Sequence, residues 1–383
     1  MKITRRLLLS ALLLSLVGPL PAKDSQKHYL LFIGTQTEKD SKGIYAYRYN
    51  ATSGELTSVG LAAETTNPAF LAVDPAGRYV FAVNEVSKFK GAASGGVSAF
   101  SVDRHSGKLT LVNDVPSGAP GPCFLSFDHS GKHVLVANYS GSVAVFPVLE
   151  SGRIGESSAM VKHSGTGPNT NRQEGPHPHW IGTTPNDRFA LAADLGNDQL
   201  FIYRFDSQKG TLTPNDPPSA KLAPGSGPRH VAFHPNGRFV YVVNELLSTV
   251  SSFALDSQRS ALTPVQTVST LPAGFSGQND TAEIEVHPNG RFLFASNRGH
   301  DSIAVFAIDQ NSGMLTSVGY VPTQGKVPRN FEIDPTGSRL FVANQKSNNI
   351  VVFRIDADTG ALTSTGQVLE APAPVSLKFV KGD

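Results

Sequence analysis

The 383-residue chain has little of what several classes of protein require. Its single cysteine, Cys123, cannot form a disulfide within the chain. After residue 22 no apolar run is long enough to cross a bilayer, and no segment is of low complexity or highly charged. Lysine and arginine (33) nearly balance aspartate and glutamate (31), which argues against nucleic acid and anionic membranes as partners. A serine nucleophile elbow, a zinc-binding histidine pair and a phosphate-cradling glycine loop are also missing.

The first 22 residues, MKITRRLLLSALLLSLVGPLPA, have a basic start, a short Leu-rich stretch and a small residue at the end. This is the layout of a secretory signal peptide. We therefore predict a signal peptide over 1–22 and a periplasmic or secreted chain over 23–383, not attached to a membrane after cleavage. The Arg5-Arg6 pair leaves the twin-arginine route open beside general secretion. Loss of Lys2, Arg5 and Arg6 takes the formal charge from +2 to −1.

One pattern is present six times, at a spacing of about 50 residues. Each copy has a Pro-led start, an apolar strand, a tight turn, a second apolar strand and a terminal Asn or Asp. The copies cover 67–85, 121–139, 178–196, 227–246, 281–299 and 327–345, with turns that begin at Asp74, Asp128, Thr184, His234, His287 and Asp334. Apolar runs joined by Pro-x-Gly-type turns predict β-hairpins, and the period is that of a propeller blade.

Two further strand-like runs, joined by an Asp-x-x-x-Gly turn, follow the hairpins, as in 95–114, 198–214 and 349–365. The chain begins with three such strands within 29–59 and ends with a lone first strand at 374–380. We therefore predict an all-β fold, a seven-bladed β-propeller of four-stranded antiparallel blades. The N-terminal and C-terminal strands would close the ring in one shared blade and leave it without an open edge.

Blade geometry sorts the side chains between the two faces of the disc. The start of each inner strand and the end of the second strand lie at one mouth of the central channel, and the hairpin turns lie at the opposite face. At the start of the inner strands His179, Arg229 and Arg329 replace the small residues Ala69, Cys123, Ala282 and Val375. The next position in each strand is occupied by Phe70, Phe124, Trp180, His230, Glu283, Asn330 and Ser376. The second strands end at the same mouth with pairs that include Asn84-Glu85, Asn138-Tyr139, Asn244-Glu245, Asn297-Arg298 and Asn344-Gln345.

Repeated residues favour a structural role, and departures from the repeat favour a functional one. The strand-end Asn or Asp fits hydrogen bonding to the backbone at the bend, and His234 and His287 stand where Asp occupies other turns. His179, Arg229 and Arg329 admit two interpretations: a structural ion-pair network with Glu245, Glu283 and Glu85, or a pocket for an anionic or carbonyl-bearing ligand. Both interpretations can hold together.

Five blocks of sequence match a known family: GPHPHW (175–180), GPRH (227–230), VNEL (243–246), SNRGHDSIAVF (296–306) and VPRNFEIDP (327–335). They resemble the seven-bladed propeller lactonases, which include bacterial 6-phosphogluconolactonases and a fungal muconate-lactonising enzyme. The resemblance covers nearly all of the chain after the leader and implies lactone ring opening. It also implies a site of one His, two Arg and one Glu, which match His179, Arg229, Arg298 and Glu245. The leader is a departure, because 6-phosphogluconolactone is a cytoplasmic intermediate.

Together these observations predict a hydrolase of a small-molecule lactone that uses neither a metal nor another cofactor. The predicted catalytic residues are His179, Arg229, Glu245 and Arg298, and the predicted substrate-binding residues are Arg329, Glu283, His230, Asn344 and Gln345. His179 or Glu245 would activate water; nearby cations lower the pKa of Glu245, which favours His179 as the base.

Three alternatives stay open from the sequence, as does the oligomeric state. The first is a muconate-type lactonising or cycloisomerase activity at the same mouth. The second is a calcium-dependent propeller lactonase that uses Glu85, Asp194, Glu283 and the Asn ring. The third is a non-catalytic extracytoplasmic propeller that binds a partner through exposed aromatic residues, for which only Phe70, Phe124, Tyr139 and Trp180 are candidates.

Overall fold

The computed structural model describes residues 27–37 and 40–383, so the signal peptide expected over 1–22 lies outside the described residues. These residues form 28 strands arranged in seven four-stranded antiparallel sheets, together with a one-turn 3-10 helix at Glu150–Gly152. The predicted all-β, seven-bladed propeller is confirmed. In the same part of the chain no helix has the length and apolar character needed to cross a membrane.

The first four blades, each given from the channel outward, contain strands that match the expected hairpins. Blade 1 consists of β28 (Pro374–Lys381), β1 (His28–Thr35), β2 (Gly43–Asn50) and β3 (Leu56–Glu64). Blade 2 consists of β4 (Pro68–Val73), β5 (Tyr79–Asn84), β6 (Gly96–Val102) and β7 (Leu109–Pro116). Blade 3 consists of β8 (Pro122–Phe127), β9 (His133–Asn138), β10 (Ser142–Pro147) and β11 (Ala159–Lys162). Blade 4 consists of β12 (Pro178–Thr183), β13 (Phe189–Asp194), β14 (Gln199–Asp206) and β15 (Thr211–Lys221).

The remaining three blades repeat this order. Blade 5 consists of β16 (Pro228–Phe233), β17 (Phe239–Asn244), β18 (Thr249–Asp256) and β19 (Ala261–Ser269). Blade 6 consists of β20 (Asp280–Val286), β21 (Phe292–Arg298), β22 (Ser302–Ile308) and β23 (Leu315–Pro322). Blade 7 consists of β24 (Pro328–Ile333), β25 (Arg339–Asn344), β26 (Asn349–Ile355) and β27 (Leu362–Glu370).

Blade 1 joins the two ends of the propeller. Strand β28 pairs antiparallel with β1, from Tyr29 opposite Lys381 to Thr35 opposite Pro374. The predicted closure by a shared blade is therefore confirmed. Because the last strand is the innermost one of this blade, its side chains line the channel beside those of β4 and β24.

The apolar core lies between neighbouring blades. Aromatic rings meet across the blade boundaries, as in Phe81 with Phe127 (4.9 Å between centroids) and Tyr49 with Phe341 (5.2 Å). Each large side chain removed from water in this way contributes roughly 1.5–3 kcal/mol. The stability is therefore spread around the ring, and the residues of the channel are free to carry chemistry.

The hairpin turns at the opposite face are held by their first residue. In the Asp turns the carboxylate accepts backbone N–H groups, as Asp74 does from Arg78 and Tyr79. His234 and His287 perform the same task and also reach the next blade, where Nε2 bonds the carbonyl oxygens of Gly290 and Gly337, each at 2.8 Å. These contacts give both histidines a structural role.

The Asn residues that end the second strands hold the loops of the channel mouth. Their side-chain amides donate to carbonyl oxygens of the preceding inter-blade connection, in the pairs Asn84 with Thr66, Asn138 with Ser117, Asn297 with Thr270, and Asn344 with Thr323. These bonds fix the positions of the residues that follow each of the four Asn residues, among them Arg298.

Candidate active site at one mouth of the channel

A β-bulge at the start of the inner strands directs the site residues into the channel mouth. The register of the inner strand shifts between Pro178 and Trp180, between Pro228 and His230, and between Pro328 and Asn330. His179, Arg229 and Arg329 are therefore the unpaired residues of their bulges. A bulge turns its extra residue out of the ladder and re-aims its side chain. Because the side chain at the bulge is directed away from the strand pairing, this position accepts a small residue in some blades and a large polar residue in others.

Glu245 is the centre of the cluster and is buried. One of its carboxylate oxygens, Oε2, lies 2.9 Å from Arg229 Nε and 2.9 Å from Arg298 Nη2, and the other accepts a hydrogen bond from Arg172 Nη2. The Arg229 Nε contact is close in distance but is not aligned as a hydrogen bond. Although burial opposes it, the charges of Arg298 and Arg229 lower the pKa of Glu245. Glu245 is therefore an anion held between three cations.

The position of Glu245 is set by a sharp bend of the backbone. Its N–H donates to the carbonyl of Gly227 (2.7 Å), and Gly227 has a φ of +61°. A Cβ atom at this glycine would lie 2.5 Å from the Leu246 side chain. Glycine is therefore required at 227, both for the left-handed backbone and for the space beside Leu246.

Arg229 of blade 5 and Arg298 of blade 6 are both fixed by backbone carbonyl groups of blade 6. Arg229 Nη1 donates to the Ala282 carbonyl and Arg298 Nη2 to the Thr281 carbonyl, both at 2.8 Å. Burial, with Arg298 and Arg329 nearby, lowers the pKa of Arg229 to about 9, so it stays charged at neutral pH. Forked N–H donors held in this way are preorganised to bind a developing oxyanion.

The His179 imidazole borders the arginine cluster. Its ring is buried, 5.2 Å from the His230 ring and 5.9 Å from the Tyr139 ring between centroids. Burial, followed by the charge of Arg229, lowers the pKa of His179 well below its usual value, so the ring is neutral. Its Nδ1 atom is buried and has no hydrogen-bond partner among the residues that the structure describes. A neutral imidazole with a free nitrogen is in the protonation state that a general base requires.

His230 and Glu283 lie one layer further into the channel. His230 Nε2 accepts a hydrogen bond from Arg229 Nη1 (3.3 Å), and its Nδ1 is 2.8 Å from Glu283 Oε1. Burial and Arg229 lower the pKa of His230. Because a neutral ring that accepts at Nε2 carries its proton on Nδ1, His230 donates to Glu283. Asn330 Nδ2 donates to the other carboxylate oxygen of Glu283 (2.5 Å). The structure thus places these two predicted substrate-binding residues behind Arg229.

The other three predicted substrate-binding residues differ in what they contact. Asn344 is fully buried in the Asn ring, whereas Gln345 Nε2 donates to Gln36 Oε1 (2.5 Å). Arg329 is half-buried, and over residues 27–37 and 40–383 neither a hydrogen bond nor an ion pair within 4 Å engages its side chain. Its charge acts on Glu85, whose pKa is raised by burial in opposition to Arg329. Of these five side chains, that of Arg329 is therefore the most available to a ligand.

Arg172 is part of the cluster but does not follow from the repeat. It lies in the connection between β11 and β12, residues 163–177, which has 15 residues where the other inter-blade connections have three to ten. Besides Glu245, Arg172 lies 3.9 Å from Asp280 and contacts the Tyr139 hydroxyl. The neighbouring Gln173 is fully buried and anchors the loop to Leu195 and Asp198. The length of this loop at the mouth is the signal that would have indicated it.

Two of the three acidic groups of the calcium alternative, Asp194 and Glu283, already have protein partners, whereas Glu85 Oε2 is buried without a hydrogen-bond partner among the described residues. Asp194 accepts hydrogen bonds from the backbone of His177 and Gly196 and is 2.6 Å from His163 Nδ1, and Glu283 is held as described above. Within the described part of the chain no group of three His, Cys, Asp or Glu side chains is placed to hold a metal ion. Cys123 also reaches the mouth, but burial raises the pKa of its thiol, so it is not a ready nucleophile.

The fold is thus a seven-bladed β-propeller with fixed arginines and a neutral histidine at one mouth of its channel. The chain belongs to the seven-bladed β-propeller lactonase family. The model of this family, described as "Lactonase, 7-bladed beta-propeller", matches residues 30–379. It is therefore an enzyme of the carboxylic ester hydrolase class, a lactonase. The resemblance of the five sequence blocks is confirmed.

Relatives and solved structures agree with this assignment. The chain is 38% identical to a 6-phosphogluconolactonase of Bacillus subtilis over 304 residues, covering 79% of this chain and 84% of that protein. A crystal structure of a putative 6-phosphogluconolactonase from Bacteroides fragilis has a TM-score of 0.87 at 37% identity, covering 94% of this chain and 100% of the other. The periplasmic gluconolactonase of Pseudomonas aeruginosa has a TM-score of 0.87 at 35% identity, covering 93% and 100%.

Proposed function

We propose that the channel mouth of blades 4 to 6 hydrolyses a sugar or carboxylated lactone without a metal ion, with His179 as the general base. The observation that carries the proposal is the buried, neutral His179 imidazole. Its Nδ1 has no hydrogen-bond partner among the described residues, and the ring borders an arginine cluster fixed by backbone carbonyls. Lactone hydrolysis requires these two elements, a base for water and cationic donors for the carbonyl oxygen.

The reaction follows from the roles of these groups. His179 takes a proton from water, and the hydroxide attacks the lactone carbonyl carbon. Negative charge then develops on the carbonyl oxygen, where Arg229 or Arg298 stabilises it; a donor in such a position is typically worth roughly 3–4 kcal/mol. When the tetrahedral intermediate collapses, the bond from the carbonyl carbon to the ring oxygen breaks. The proton on His179 passes to that oxygen, and the product is the open hydroxy acid.

Glu245 has a different role in this scheme. Because its pKa is lowered by three arginines, it is a weak base and holds those arginines instead. This arrangement favours His179 over Glu245 as the group that activates water. Arg172, in the connection 163–177, forms an ion pair with the other carboxylate oxygen of Glu245. It is a third cation at the mouth.

Arg329 is proposed to bind substrate groups away from the lactone carbonyl. Its guanidinium has no ion-pair partner within the described residues, whereas Arg172, Arg229 and Arg298 all share Glu245. An unpaired arginine at a half-buried position can pair with a carboxylate or phosphate, or donate to hydroxyls. We therefore assign the distinction between charged and uncharged lactones to Arg329.

A panel of lactones tests the function and the role of Arg329. Purified protein is assayed with glucono-δ-lactone, 6-phosphogluconolactone and a muconolactone, with and without EDTA, and as the Arg329→Gln variant. We expect hydrolysis of at least one sugar lactone that EDTA does not change. The substitution should raise KM for an anionic lactone by about 10- to 100-fold and for an uncharged one by less than about threefold.

Each contrary result of the panel has a definite meaning. Loss of activity in EDTA that calcium restores would refute the metal-independent mechanism. Activity confined to the muconolactone would move the function to the lactonising alternative. No turnover of any lactone at high protein concentration would leave a binding propeller as the function.

We further propose that the mature protein acts outside the cytoplasm. The basic and Leu-rich layout of residues 1–22 supports this location, and a structural neighbour at 35% identity is described as a periplasmic gluconolactonase. An exported enzyme would meet unphosphorylated sugar lactones rather than a cytoplasmic phosphosugar. Cell fractionation with N-terminal sequencing should recover a chain shortened by about 22 residues from the periplasm or medium. An intact chain in the cytosol would favour the phosphorylated substrate.

A further inference from the structure

The channel is divided by a layer of side chains that lies one residue beyond the bulges. We call this layer the plug; it consists of Phe70, Phe124, Trp180, His230, Glu283 and Asn330. The Phe124 ring packs on Phe70 (4.3 Å between centroids), on His230 (5.0 Å) and on Trp180 (5.6 Å), and Glu283 joins His230 to Asn330. The plug therefore separates the arginine cluster at the mouth from the other half of the channel.

Behind the plug lies a second cavity, which we call the rear cavity. It has a volume of about 520 Å³ and extends from the plug residues Phe70, Phe124 and Trp180 to Pro75 and Asp128 at the face of the hairpin turns. None of His179, Arg229, Glu245 and Arg298 lines it. A cavity of this size, with aromatic walls and a few polar groups, matches the usual dimensions of a small-molecule site.

The aromatic floor is built into the sequence of blade 4. The Trp180 indole lies along its own strand over Gly182, where a Cβ atom would come within 2.6 Å of the ring. A side chain at 182 would displace the indole, so this glycine keeps the ring directed toward the rear cavity. Phe70 and Phe124 extend the floor on the neighbouring blades, and all three rings are buried.

The polar wall of the rear cavity is formed by three residues at the same position of three consecutive inner strands. These are Glu285 on β20, Glu332 on β24 and Lys378 on β28. Lys378 Nζ forms an ion pair with Glu332, the two carboxyl groups contact each other, and Glu285 Oε2 accepts the Ile333 N–H (3.0 Å). Burial, followed by the charge of Glu332, raises the pKa of Glu285. The wall therefore combines two adjacent carboxyl groups and an ammonium group.

We propose that the rear cavity is a binding site for an uncharged polyhydroxylated molecule, such as a free sugar or a cyclic polyol. A hydroxyl group both donates and accepts, and this wall presents a donor and an acceptor side by side. A free cation would meet the ammonium group of Lys378, and a free anion would meet two carboxyl groups. The C–H face of a sugar ring matches the apolar faces of Phe70, Phe124 and Trp180. This site is distinct from the mouth and does not depend on the proposed lactone reaction.

Binding in the rear cavity can be followed by intrinsic fluorescence, because Trp180 lines the cavity and is the only tryptophan of the chain. Full-length protein is titrated with methyl α-D-glucopyranoside and with myo-inositol while tryptophan fluorescence is followed. Neither compound carries a charge or a lactone. We expect a saturable change in fluorescence, weakened at least about tenfold in Glu332→Gln and abolished in Ala72→Leu, where the larger side chain fills the cavity. Ala72 lines the cavity as a small residue.

Controls separate this site from the mouth and from loss of folding. Arg329→Gln changes the mouth only and should leave the titration unaltered, and the melting temperature of each variant reports its folding. The proposal is overturned if the titration of folded wild-type protein shows no saturable change. It is equally overturned if the signal is lost in Arg329→Gln but kept in Ala72→Leu, or if tetramethylammonium or gluconate binds more tightly than both polyols.

Discussion

Replacing His179 by asparagine is expected to lower kcat for lactone opening by about 100- to 10,000-fold, the range usual for loss of a positioned general base. The substitution removes the one buried imidazole nitrogen that lacks a hydrogen-bond partner among the described residues. It leaves the arginine cluster in place, so KM should change much less than kcat. Steady-state kinetics on the best substrate of the lactone panel, together with a thermal melt, measures both quantities.

The matched control is His287→Asn at the opposite face of the disc. His287 holds a hairpin turn and bonds the Gly337 carbonyl of the next blade, so its loss should reduce the melting temperature and leave kcat nearly unchanged. If both variants lost activity equally, general destabilisation would explain the result. If His179→Asn kept wild-type turnover, another group would have to activate the water.

The pH profile follows from the same residue. His179 works as a base in its neutral form, and burial with Arg229 lowers its pKa well below the usual 6.5. The rate should therefore stay level as the pH falls from 8 through 6.5, and it should decline only at more acidic pH, where the imidazole gains its proton. An acidic limb centred at or above pH 6.5 in kcat/KM would contradict a buried His179 base.

The fold could be predicted because the same hairpin pattern is repeated in six of the seven blades. The Pro-led start, the turn that begins at Asp74 or its equivalents and the terminal Asn set the direction and register of every hairpin, and the structure has the strands accordingly. The same regularity showed which face of the disc carries the departures from the repeat. His179, Arg229, Glu245 and Arg298 could therefore be assigned to one mouth without any knowledge of their contacts.

The contacts themselves depend on features that the repeat does not contain. Arg172 lies in an inter-blade connection that is longer than those of the other blades, so no register links it to Glu245. His230 and Glu283 follow the bulge by one residue, and only side-chain packing places them behind Arg229. Sequence position indicates the mouth for His230 and Glu283, but not for Arg172. Depth within the channel is decided by which side chains fill the plug.

Removing the charge of Glu245 is expected to be as damaging to catalysis as losing Arg229. In Glu245→Gln the guanidinium groups of Arg172, Arg229 and Arg298 lose the anion that holds them, while Arg229→Ala removes a proposed oxyanion donor. Each change should lower kcat/KM by about 100- to 1,000-fold. Their effects on stability should differ, because an uncompensated cluster of buried cations costs roughly 3–5 kcal/mol.

The double variant Glu245→Gln with Arg229→Ala distinguishes a shared cluster from two independent residues. In a shared cluster Arg229→Ala relieves part of the repulsion created by Glu245→Gln, so the double variant should unfold at a higher temperature than Glu245→Gln alone. Its loss of kcat/KM should also be much smaller than the product of the two single losses, because each single change already disrupts the same oxyanion-binding geometry. Additive losses in both stability and activity would show that Glu245 and Arg229 act separately, despite the 2.9 Å between Glu245 Oε2 and Arg229 Nε.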